Sequence, residues 1–141
     1  MTHVFQKQLM VHTDGRQLRD ITREIEEIVN AGPVRHGLCH VFIRHTSASL
    51  LINENADPDV LADLERFFSD LVPDGDDRFV HRAEGPDDMA AHVRCALTRT
   101  DITLPVVDGA LALGTWQGIF LWEHRYRPHE RRMIVTVSGA V

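Results

Sequence analysis

The chain has 141 residues, enough for one domain with its own core and too few for two ordinary ones. Fifteen Lys and Arg against 21 Asp and Glu leave a net charge of −6, which argues against the clustered basic surface of a nucleic-acid binder. No apolar run approaches the roughly 20 residues of a membrane span, and Met1 to Lys7 lacks the apolar segment of a secretory signal. The expectation is therefore a cytoplasmic single domain, with Cys39 and Cys95 as reduced thiols.

Val4 to Thr13 has a strand-like apolar pattern and ends at the turn signal Asp14-Gly15. A helix is predicted from Ile21 to Asn30, capped by Asp20, with Ile21, Ile25, Ile28 and Val29 as its apolar stripe. Leu38 to His45 alternates as a strand, and Ser47 to Asn53 is strand-compatible. Asp57-Pro58 opens a second helix in which Val60, Leu61, Leu64, Phe67, Phe68 and Leu71 recur at helical spacing. Pro86 opens a third, with Met89, Val93, Ala96 and Leu97 as its expected buried stripe. Ile102 to Val107, Ala110 to Leu113, Ile119 to Tyr126 and Arg132 to Val137 read as strands. Asp108-Gly109 forms a hairpin turn, and Pro105 lies at an edge or bulge. The pattern amounts to an α+β domain with an antiparallel β-sandwich-like core and about three helices.

Three segments concentrate chemistry. Glu84 to His92 holds three carboxylates and an imidazole at a helix start, where the helix dipole favours acidic residues, and the segment extends back to His81; Asp88 and His92, four apart, share a face. His45 ends a strand close to Ser47, Ser49, Asn53, Glu54, Asn55 and Asp57, of which Asp57 reads as a helix cap. Gly114-Thr115-Trp116-Gln117-Gly118 leads through a strand to Glu123-His124-Arg125. If the segments converge, His45, His92 and His124 supply three imidazoles for a divalent metal with an open position. Glu84, Asp87 and Asp88 would then orient or tune them. Alternatively, Arg125 donates a bidentate pair to a phosphate that Ser47 and Ser49 help to cradle.

These same segments resemble the YjbQ family, also called UPF0047. The resemblance rests on His45 to Ser49 running into Asn53 to Asn55 and Asp57-Pro58, on Glu84 to His92, and on Gly114 to Gly118 with Glu123 to Arg125. The matching segments keep the family's order along nearly the whole chain; Ala90 stands where the family pattern usually has Pro. The resemblance implies an α+β fold, a homotrimer, and a polar pocket of the matching histidines and acids near a subunit boundary. It also implies a secondary thiamine-phosphate synthase activity, joining hydroxymethylpyrimidine diphosphate to thiazole phosphate.

The expected protein is a small enzyme acting on a phosphorylated small molecule. His45, His92 and His124 are its metal ligands, with Zn²⁺ and Mg²⁺ both open. Glu54, Asn55, Glu84, Asp87, Asp88 and Arg125 are its catalytic candidates, and Ser47, Ser49, Gln117 and Arg125 its substrate-binding ones. The alternative is a non-catalytic oligomer that binds a metal or a phosphorylated ligand.

Overall fold

The computed structural model describes residues 1–141. β1 (Thr2–Thr13) and β2 (Gln17–Asp20) lead into α1 (Thr22–Ala31), then β3 (His36–Ile43) and β4 (Ala48–Glu54). α2 (Pro58–Leu71) and α3 (Pro86–Leu97) follow, before β5 (Asp101–Val107), β6 (Ala110–Leu111), β7 (Gln117–Glu123) and β8 (His129–Ala140). The strands make a five-stranded sheet ordered β1-β8-β3-β5-β6 and a three-stranded sheet ordered β2-β7-β4. The fold is α+β, its antiparallel sheets curled into a half-barrel. No helix is long and apolar enough to cross a membrane.

Local chemistry explains most boundaries. Asp20 accepts a hydrogen bond from the Thr22 N–H at the start of α1, and Asp57 accepts one from the Asp59 N–H ahead of Pro58 in α2. Asp108 and Gly109 adopt φ of 52° and 82°, the left-handed pair that a two-residue hairpin between β5 and β6 requires. Pro105 lies just before the two residues of β5 that β6 covers. The core gathers Ile21, Ile25, Ile28 and Val29 from around α1 with Val41, Leu50, Leu121 and Val135 from both sheets. Each such fully buried side chain contributes about 1.5–3 kcal/mol. Both cysteines are free and buried, and burial pushes the Cys39 thiol up to about 11.

Three expectations need correction. β2 is an additional strand, four residues long and only partly buried, so it carries no readable alternation; pairing with β7 creates it. α2 buries none of its residues fully, and Phe67 and Leu71 of its apolar stripe are exposed. α3 turns a different face inward. Asp87, Asp88, Ala90, Ala91, Arg94 and Cys95 are buried, whereas Leu97 is exposed and Met89 and Val93 are half-buried. Ion pairing decides this, because the inward carboxylates and arginine all find partners there.

The site is assembled at one end of the β4–β7 ladder, where Ala48 faces Glu123. Ser47 and His124 extend that ladder by one backbone hydrogen bond, His124 N–H to Ser47 O at 3.3 Å. Thr46 and Arg125 therefore emerge together, beneath the first turn of α3.

Candidate functional site

Gly85 caps α3 with a φ of 102°, a left-handed value that glycine adopts without strain, and Pro86 follows at the first helical position. This turn aims Asp88 inward. Its Oδ1 accepts from Arg125 Nη1 at 2.7 Å, and its Oδ2 accepts from His81 Nε2 at 2.7 Å. One turn on, His92 Nε2 lies 3.2 Å from the same Oδ2, as their shared helix face requires. His92 Nδ1 is 2.9 Å from the Thr46 carbonyl oxygen, which can only accept, so Nδ1 carries a proton. A neutral His92 then presents a bare Nε2 lone pair to a carboxylate oxygen. Two electron-rich atoms at that distance call for positive charge, either a second proton on the ring or a cation between them.

The geometry fits a cation. One ligand atom from each of His81, Asp88 and His92 lies within 4.8 Å of the others. With metal–ligand bonds of about 2.0–2.1 Å, donors in a tetrahedral zinc site stand about 3.3 Å apart. The His92–Asp88 separation already matches, and the His81–Asp88 pair would open by about half an ångström. Two imidazoles and a carboxylate with a free fourth position make a donor set found in catalytic zinc sites. The Thr46 carbonyl would then supply the outer hydrogen bond that holds the His92 imidazole in one tautomer.

The neighbouring charges are held firmly. Burial pushes the Asp88 carboxyl up, but the His81 hydrogen bond and the Arg125 and His92 charges outweigh it, leaving its pKa below the ordinary value. Asp87 behaves alike: burial raises it, and hydrogen bonds from the Tyr126 N–H and Arg125 Nε to its Oδ2 bring it lower. Arg125 thus spends Nε on Asp87, Nη1 on Asp88 and Nη2 on the Glu84 carbonyl oxygen. The Glu84 carboxylate is exposed, 4.0 Å from His81 Nε2.

The three expected imidazoles divide among separate environments. His92 lies in the cluster just described. His124 is fully buried: Arg94 Nε donates to its Nδ1 at 3.0 Å, so its Nε2 bears the proton and donates to Ser49 Oγ at 2.8 Å. Neither nitrogen has a lone pair to spare, and burial followed by the charges of Arg94, Arg16 and Arg131 pushes the ring down to about 2. The tautomer also prevents His124 from acting as a base toward Ser49. His45 is half-buried, its Nε2 accepting from the Arg132 N–H at 2.8 Å, and burial with the Arg131 charge lowers its pKa. In this chain the three donor atoms close enough to share a cation therefore belong to His81, Asp88 and His92, Asp88 contributing an oxygen directly.

The other candidates also separate. Ser47 and Ser49 are buried, their hydroxyl oxygens accepting from Arg131 and His124, so neither is open to a phosphate from solvent. Glu54 accepts from the Asp57 N–H, Asn55 Nδ2 donates to the Gln117 carbonyl oxygen, and Gln117 Oε1 accepts from the Gly114 N–H. These are loop-closing bonds at the Glu54–Gln117 end of the β4–β7 ladder. Six residue steps at roughly 3.4 Å put that end about 20 Å from the Ala48–Glu123 end. Within one chain these three residues do not join the cluster.

Some functional residues carried no readable signal. His81 sits in an irregular loop, with no periodicity to assign it a direction, yet its Nε2 lies 2.7 Å from Asp88 Oδ2. Arg94 and Arg131 lie inside regular elements and are buried against carboxylates: Arg94 on both oxygens of Glu65, Arg131 on Glu123. Glu65 Oε2 also accepts from Trp122 Nε1 at 2.7 Å.

The model of the family described as UPF0047 protein YjbQ-like matches residues 7–140. The chain belongs to the UPF0047 family. A UPF0047 protein of Synechocystis is 56% identical over 136 residues, covering 96% of this chain and 92% of that one. The UPF0047 protein YjbQ of Escherichia coli O157:H7 is 43% identical, covering 96% and 98%. Among solved structures, a YbjQ-like protein of unknown function from Sulfolobus solfataricus superposes with a TM-score of 0.91 at 26% identity, covering 99% of this chain and all of that one. A UPF0047 relative from Clostridium acetobutylicum reaches 0.81 at 33% identity, over 94% and 98%.

Proposed function

We propose that this UPF0047 protein is an enzyme whose divalent-metal centre is His81, Asp88 and His92, and which acts on a phosphorylated small molecule. The observation that carries the reading is the tautomer of His92. Its Nδ1–H is committed to Thr46, leaving Nε2 facing Asp88 Oδ2 at 3.2 Å, with His81 Nε2 on the same oxygen. Zn²⁺ suits this donor set better than Mg²⁺, because two of the three ligands are imidazoles. The bound ion would supply Lewis acidity toward a phosphoryl oxygen or an activated water. Arg125 positions Asp87 and Asp88, and the exposed Glu84 carboxylate beside His81 is placed to exchange a proton with substrate.

The thiamine-phosphate synthase reaction belongs to this proposal as its specific form. A bond forms from the thiazole nitrogen to the pyrimidine methylene carbon, the carbon–oxygen bond to diphosphate breaks, and diphosphate leaves with the electron pair. A homotrimer is proposed with it, supported by the exposed Phe67 and Leu71 on α2.

The test is metal analysis of purified protein, followed by turnover assays with hydroxymethylpyrimidine diphosphate plus thiazole phosphate and with simple phosphomonoesters. Zinc near one equivalent and turnover abolished by Asp88→Asn, with folding retained by circular dichroism, support the reading. Metal binding without turnover on any of these substrates would instead favour a non-catalytic metal-binding protein.

A further inference from the structure

An open cavity of about 610 Å³ adjoins the proposed metal centre. The loop Ala83, Glu84 and Gly85 forms one wall, and Arg125, Arg127 and His129, from the β7–β8 connection and the start of β8, form the other. Two of its lining residues touch the cluster: Glu84 Oε2 lies 4.0 Å from His81 Nε2, and Arg125 Nη1 donates to Asp88.

The charges on the second wall differ in availability. Arg125 is an obvious phosphate binder by residue type, but three of its N–H groups are spent and two carboxylates neutralise it. Counted together, Asp87, Asp88 and Arg125 carry a net negative charge, which repels an anion. Arg127 is exposed on the cavity wall and enters no ion pair with a carboxylate, unlike its neighbours Arg125, Arg131 and Arg132. His129 is anchored at two points. Its Nδ1–H donates to the Arg127 carbonyl oxygen at 2.7 Å, and its N–H donates to Thr13 Oγ1 at 3.3 Å. Thr13 is itself pinned to the buried Glu123 at 2.7 Å. The ring is thereby held with Nε2 uncommitted, and its Nδ1 bond ties the Arg127 backbone beside it.

We infer that Arg127 is the anion clamp of this site, with His129 as the residue that positions it, holding the non-reacting phosphate or diphosphate of a substrate while the reacting part lies toward His81, Asp88 and His92. The inference rests on the metal-centre reading and names the substrate class within it: a phosphorylated compound whose phosphate lies on the β8 side of the cavity. Arg125 is a positioning residue for the two aspartates and contributes no phosphate contact. A guanidinium free to offer two parallel N–H groups suits a phosphate oxygen pair, and the His129 bond to the Arg127 carbonyl fixes the backbone from which that guanidinium reaches.

The test is calorimetric titration of inorganic diphosphate and inorganic phosphate into zinc-loaded and metal-free protein, for wild type, Arg127→Gln and His129→Gln. Zinc affinity is measured in parallel for each. The expected result is diphosphate binding by wild type, weakened at least tenfold in Arg127→Gln and less in His129→Gln, with zinc affinity unchanged in both. Arg127→Lys should recover part of the loss, since charge returns without the fork. Equal diphosphate binding by wild type and both variants overturns the clamp, as does no binding by wild type in either metal state. Failure of wild type to bind zinc overturns the metal centre instead, and the metal-free titrations then still decide the clamp.

Discussion

Two regions a few residues apart are built from the same side chains and behave in opposite ways. Around β7 and β8, His124, Arg94 and Glu65 form one buried chain of hydrogen bonds, and Glu123, Arg131, Thr13 and Ser47 form another. Nearly every buried side-chain polar atom there has a protein partner, Arg94 Nη1 being the exception. At the start of α3, His81, Asp88 and His92 also combine imidazoles with a carboxylate, but His81 is exposed, His92 is partly open, and the three converge on one oxygen. Residue type therefore does not separate scaffold from site. What separates them is whether the ring nitrogens and carboxylate oxygens are already committed. A closed network stabilises one geometry, while a convergent one with charge still to place is suited to a ligand.

The comparison can be broken most severely at Glu123. Glu123→Gln leaves the Arg131 guanidinium buried without its counter-charge, and a loss of about 3–5 kcal/mol in urea denaturation is expected. A loss below 1 kcal/mol would mean that this network is not the closed one described.

Zinc at a hundredfold its dissociation constant should stabilise the wild-type protein by about 2.7 kcal/mol. His81→Gln should remove that gain and His124→Gln should retain it, read as the zinc-induced shift in thermal midpoint. The opposite pattern would exchange the roles of the two regions.

Acid sharpens the contrast further. Burial holds the folded-state pKa of His124 near 2, below the ordinary 6.5, so the unfolded chain takes up its proton first. Its contribution to stability is complete above pH 6.5 and declines as pH falls toward 2, with a slope of up to about 1.4 kcal/mol per unit. The difference between wild type and His124→Gln should therefore shrink from pH 7 to pH 5. A difference that stays constant over that range would argue against a buried neutral ring.

The smallest expected effect is a control remote from both regions. Asp57→Ala removes the α2 cap on the Asp59 N–H and should cost about 1 kcal/mol with no change in zinc affinity. Any loss of zinc binding would connect α2 to the site.

Much of the scaffold was legible along the chain. The α1 stripe, the Asp57-Pro58 start, the Asp108-Gly109 hairpin and the helix opening at Pro86 are local, each set by spacing or by one residue's backbone preference. The meeting of Asp88 with His92 is local in the same sense, because four residues make one helical turn. The rest depended on partners remote in sequence. His81 acquired its place from a loop, β2 from pairing with β7, and the buried face of α3 from Glu65 and Arg125.

Local pattern along the chain was enough for the α+β class, most of the element boundaries, and the crowding of acids and imidazole at the head of α3. Which imidazoles are free was settled by packing. That choice turns on hydrogen bonds to Arg94, Ser49, Arg132 and Thr46, supplied by chain segments far from the histidines they hold. Spacing along a chain reports the direction of a side chain, whereas the commitment of its lone pairs is fixed by what packs against it.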